Sequence, residues 1–126
     1  MIRDFGISCG IIALIFILLY SAQYVLRDLY SFSNSNTLKK TINNILPILA
    51  KCNSTFLLIA FILSLFHIAS LYSIGPFFRS GYVVIFLILF IFKITFFPSK
   101  KSLYVYNINF LSYLLIISII VHVMLR

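Results

Sequence analysis

His67 and His122 stand inside segments otherwise built almost entirely from Leu, Ile, Phe, Val, Ala and Ser. An ionisable side chain at membrane depth is costly and is read by default as functional. Two imidazoles at one level, one from each of two helices, form the donor set for axial ligation of a b-type haem. The same residues can instead each merely hydrogen-bond a neighbour and hold no cofactor. Zinc or copper is a poorer match, because such sites need three or four ligands. Met124 is the one further soft donor on that side, and it points away from His122 along the helix.

Composition fixes the class of protein that must position these residues. The chain has 126 residues, 63% of them hydrophobic and 10% charged, with a mean hydropathy of +1.14. That is far more apolar surface than a soluble domain of this size can bury, so the expectation is an all-α integral membrane protein in one domain, residues 1–126. Asp4 and Asp28 are the only acids, and the net charge of +8 comes from ten Lys and Arg residues that punctuate the ends of apolar runs. That distribution suits a membrane topology signal and argues against nucleic acid as a partner. No carboxylate lies within the apolar runs, which disfavours intramembrane hydrolases and proton-coupled transporters. There is no Gly-rich phosphate loop and no nucleophile beside a base. Cys9 and Cys52 form no CxxC and read as free thiols.

Four apolar runs approach the ~20 residues that cross a hydrocarbon core, at about 7–26, 54–74, 81–97 and 108–125. A four-helix bundle is the expected architecture. Between the first two runs, Ser31 to Asn36 is polar and turn-prone, and Leu38, Ile42, Ile45, Leu46 and Leu49 then recur at near-helical spacing among Lys39, Lys40 and Asn43. This predicts a separate amphipathic segment over about 37–50, lying on the membrane surface and interrupted at Pro47. Gly75-Pro76 and Pro98-Ser99-Lys100-Lys101-Ser102 make the other two connections short.

Charge asymmetry orients the bundle. The first and third connections hold Arg27, Lys39, Lys40, Lys51, Lys100 and Lys101, with Lys93 able to snorkel to that side, whereas Arg3, Arg79 and Arg126 lie opposite. The positive-inside rule puts both termini outside, in a bacterial cytoplasmic membrane or a mitochondrial inner membrane. Tyr24, Tyr30, Tyr72, Tyr82, Tyr104 and Tyr106 fall near the span ends, as interfacial aromatic belts require.

In this frame the second and fourth helices both run outward, and His67 and His122 are the fourteenth and fifteenth residues of their spans. They share one depth in the outer half of the membrane. Ala60 and Ser64 precede His67, and Ser118 precedes His122; small residues there would let a flat macrocycle approach. Arg79 and Arg126, on the same side, are candidate partners for haem propionates.

The stretches from Asn53 to His67 and from Asn109 to His122 resemble two helices of the ferric reductase and NADPH oxidase transmembrane domains. Each of those helices carries two histidines roughly four turns apart, and together they hold an inner and an outer haem. His67 and His122 match the outer pair, while Asn53 and Asn109 stand at the inner positions. The resemblance therefore implies one haem b, not two. A spacing of 14 keeps Asn53 on the face of His67, whereas a spacing of 13 turns Asn109 well away from His122. Nothing in the chain corresponds to the family's flavin and nicotinamide domain, so transfer across the bilayer from a cytoplasmic nicotinamide is not expected of this chain alone.

Two functions fit these residues. One is an electron-transfer subunit of a respiratory or other oxidoreductase complex, holding one bis-histidine haem b and exchanging electrons with quinol or a partner subunit. The other is a structural or assembly subunit of a larger membrane complex, with histidines that only pack and hydrogen-bond. Membrane lipid and other membrane-protein subunits are the expected partners of either.

Overall fold

The computed structural model describes residues 1–72, 79–97 and 104–125, without the side chains of Arg79 and of residues 104–107. Among the described residues the chain is all-α, with α1 (Ile2–Phe32), α2 (Asn36–Tyr72), α3 (Arg79–Phe96) and α4 (Tyr104–Met124). The connections built on Gly75-Pro76 and on Pro98 to Ser102 lie outside the described residues.

The first connection differs from expectation. α1 continues to Phe32, and α2 begins at Asn36, so residues 33–35 are all that joins them. Serines make this turn. The Ser33 hydroxyl accepts from the Ser35 amide at 3.1 Å. Ser35 then caps α2, its carbonyl taking the Lys39 amide at 3.1 Å and its hydroxyl the Leu38 amide at 3.5 Å. The 37–50 stretch is no separate segment but the first part of α2, which passes through Pro47 without a break. Proline removes the bond to the carbonyl four residues back, but Asn43 and Pro47 are both exposed, so that carbonyl lies on the outer face of the helix, while Ile42, next to Asn43, is buried on the inner one.

At ~1.5 Å per residue, α1 (31 residues) and α2 (37 residues) reach about 46 and 55 Å, against about 27 and 31 Å for α3 and α4. Both α1 and α2 are long and apolar enough to cross a membrane, whereas α3 and α4 hold the shorter apolar stretches Ser80–Phe96 and Ile108–Met124. The α1–α2 hairpin therefore outreaches the other pair at its closed end, where the Lys39 ammonium sits 5.3 Å from the Tyr30 ring centre. Further along, Phe16 meets Phe56 at 5.9 Å and Phe5 meets Phe66 at 6.4 Å, an antiparallel register along the whole hairpin.

α1 packs against α2 and α4, and α3 packs against the same two, while the backbones of the diagonal pairs stand farther apart among the described residues. The helices thus alternate around a ring, and α2 and α4 run parallel at opposite corners. Ile17, Tyr20, Leu57, Ala60, Ile88, Ile91, Leu115 and Ile119 fill the centre. On α2 the inward positions follow 57, 60, 64, 67, and on α4 they follow 112, 115, 119, 122. These alternating steps of three and four are the seam of an antiparallel bundle. His122 is the last described residue of the α4 seam, and on α2 the seam runs one step past His67 to Leu71, which also lines the cavity described below.

Candidate functional site

Where the two seams end, the bundle opens into a cavity of about 660 Å³ lined by residues of all four helices, His67 and His122 among them. The N-terminal turns of α1 and α3 and the C-terminal turns of α2 and α4 meet there. His67 and His122, matched in depth by residue counting, both line this cavity.

His67 is fixed by α1. Its Nδ1 lies 2.7 Å from the Gly6 carbonyl oxygen. A carbonyl can only accept, so Nδ1 carries the proton and, in the neutral ring, Nε2 carries the lone pair. This is the tautomer that a metal-ligating imidazole adopts when a backbone carbonyl orients it. His122 is held by α3, its Nδ1 lying 2.9 Å from the Ser80 hydroxyl, which can donate or accept. Each imidazole is thus tied to a helix other than its own.

Glycines make both contacts sterically feasible. A Cβ on Gly10 would lie 2.5 Å from His67 Nδ1 and 2.7 Å from its Cε1, and a Cβ on Gly6 would lie 2.8 Å from the Ser70 Cβ. Gly81 stands similarly to His122, where an added Cβ would come within 3.3 Å of Cε1. Histidines in apolar runs do not by themselves single out Gly6, Gly10, Gly81 or Ser80. The four-residue spacing of Gly6 and Gly10 is nevertheless the small-residue signature of close helix approach.

Ser64 lines the cavity and gives its hydroxyl to the Ala60 carbonyl at 2.7 Å. On α4 the lining comes from Ile119, His122 and Val123, and Ser118, one turn before His122, is half-buried outside it. The Arg79 side chain and Arg126 lie outside the described residues. Arg3, seven residues before Gly10 and on the same side of α1, does line the cavity. Among the described residues no group of three or more His, Cys, Asp or Glu comes together.

The opposite half of the bundle is built differently. Asn53 and Asn109 both turn to α1: the Asn53 amide nitrogen reaches the Tyr24 hydroxyl at 3.5 Å, and Arg27 donates to the Asn109 side-chain oxygen at 2.7 Å. Tyr113 donates to the Asp28 carboxylate beside them. The Tyr20 and Tyr24 hydroxyls are 3.4 Å apart, and Tyr20 and Leu57 are wholly buried between them and the cavity. Side chains fill the level at which an inner cofactor would sit. Cys9 and Cys52 are free thiols.

A pocket of this volume, largely apolar with a few convergent polar groups, has the dimensions and character of a cofactor site. Two imidazoles from diagonally opposed helices, both lining this cavity, are the nitrogen donors that a haem ligated from both faces would take, so the residues present fit one. No family model, no curated protein and no solved structure matches the chain.

Proposed function

We propose that the chain is a membrane electron-transfer subunit of the cytochrome b type, binding one haem b through His67 and His122. The observation that carries this reading is that the inward seams of two parallel, diagonally placed helices each bring a histidine to one cavity. His67 would present Nε2, with its Nδ1 proton held by the Gly6 carbonyl. Ser80 would orient His122 from α3. The apolar layer of Ile17, Ile88 and Ile119 closes the cavity floor against water. A haem b bound there would supply one-electron exchange at its iron.

Membrane insertion is part of the same reading. Phe86, Phe110 and Ile117 are 67%, 68% and 57% exposed on the outside of the bundle, a surface that lipid satisfies and water does not. The packed inner half, with Asn53 and Asn109 engaged by Tyr24 and Arg27, favours electron exchange at the cavity end, with quinol or a partner subunit, over passage through the bilayer.

The second reading, a structural or assembly subunit without cofactor, draws on the same two hydrogen bonds, since each histidine already stitches two helices together. A pyridine haemochrome assay on protein purified from a haem-sufficient host separates the two. One haem b per chain supports electron transfer; none, in folded protein, supports the structural role.

A further inference from the structure

We infer that Arg3 is the counter-ion for the carboxylates of the group held at His67 and His122, so that the acidic edge of the ring faces the first turn of α1. This deepens the haem reading and rests on it. Arg3 lines the same cavity as both histidines. Arg3, Gly10, Leu14 and Ile17 are all cavity-lining and follow at steps of seven, four and three, which is one face of a helix. At ~1.5 Å per residue, Arg3 stands about 10 Å beyond Gly10 along the axis, toward the cavity mouth. Gly10 marks the level of the His67 ring, so Arg3 is about two turns from the ligand plane's centre, at its rim.

Both acidic side chains of the chain are engaged elsewhere. The whole chain holds two acids. Asp4, one residue on and rotated by about 100°, takes the Met1 ammonium at 3.3 Å. Asp28 lies at the other end of α1, receiving the Tyr113 hydroxyl. Among the described residues no carboxylate pairs with Arg3, which leaves an exposed guanidinium beside a largely apolar cavity. A haem b brings two carboxylates on one edge of an apolar ring, and a guanidinium is the group best shaped to bind them in pairs. The alternative for Arg3 is simple anchoring at the membrane surface.

The test compares haemin with haemin dimethyl ester, which has the same ring and iron but no carboxylates. Each is titrated into detergent-solubilised protein expressed without haem supply, with the bis-histidine spectrum as readout. The wild type should bind haemin roughly three- to tenfold more tightly than the ester, a preference kept modest by the exposure of Arg3. Arg3→Gln should bind the ester as the wild type does and lose the preference for haemin, and Arg3→Lys should keep part of it. An undiminished preference in Arg3→Gln overturns the inference while leaving haem ligation intact. Loss of ester binding in that variant shows that Arg3 supports the fold instead, and also overturns it. If neither porphyrin ligates to the wild type, the haem reading fails and the inference fails with it.

Discussion

Gly10 and His67 hold their places only because one of them lacks a side chain: a Cβ on Gly10 would stand 2.5 Å from the imidazole Nδ1 that bonds to the Gly6 carbonyl. The ring cannot retreat without giving up that bond. Gly10→Ala should therefore displace His67 and lower the haem content of purified protein severalfold, despite the ~0.5–1 kcal/mol that Ala gains over Gly in a helix. Gly81→Ala should act in the same direction but more mildly, because its Cβ would lie 3.3 Å from His122. Haem-to-protein ratios of the two variants check the order; a Gly10→Ala protein with full haem would remove the glycine from the site.

The resemblance to two-haem transmembrane domains can be pressed further by restoring histidine at both inner positions. Asn53→His with Asn109→His should still give one haem per chain, since Tyr20 and Leu57 are fully buried at that level and leave no room for a ring. A ratio of two would mean that this half of the bundle opens far more readily than its packing suggests.

The inner polar cluster carries a stability prediction. Among the described residues the Asn53 side-chain oxygen is buried without a hydrogen-bond partner, and its amide nitrogen bonds to the Tyr24 hydroxyl. Tyr24→Phe should destabilise the protein by about 1–3 kcal/mol, at the low end because that bond is long. Adding Asn53→Leu should recover most of the loss by removing the stranded polar group. Thermal unfolding in detergent measures both; additive losses in the double variant would contradict the pairing.

Much of this arrangement is legible from residue types. Apolar runs locate the four helices, and steps of three and four along α2 and α4 put His67 and His122 on inward seams. The α1–α2 hairpin is not legible. Polar residues from Ser31 to Asn36 and a proline at 47 suggest a long loop and a broken helix. A proline whose freed carbonyl belongs to exposed Asn43 need not break anything, and serine hydroxyls can close a turn over residues 33–35. The value of Gly6 and Gly10 emerges only once α1 lies against α2, because a glycine's role depends on what approaches it. Asn109 shows the converse. It stands one residue out of step with Asn53 relative to the histidines, and in the bundle it turns to Arg27.

Orientation is testable apart from haem. Ile2 lies at the cavity end and Ser35 in the hairpin turn at the far end, both exposed. In a background with Cys9 and Cys52 changed to Ala, Ile2→Cys should react with an impermeant maleimide in intact cells. Ser35→Cys should react only after permeabilisation. The opposite pattern would place the cavity at the inner face of the membrane.

Haem ligation itself is read most directly from the dithionite-reduced minus oxidised visible spectrum of purified protein, recorded for the wild type and for His67→Ala and His122→Ala. Ligation through both imidazoles predicts sharp low-spin b-type bands in the wild type and their loss in each variant, with the variants still folded. Wild-type protein without haem absorbance, or bands that survive either substitution, would contradict it.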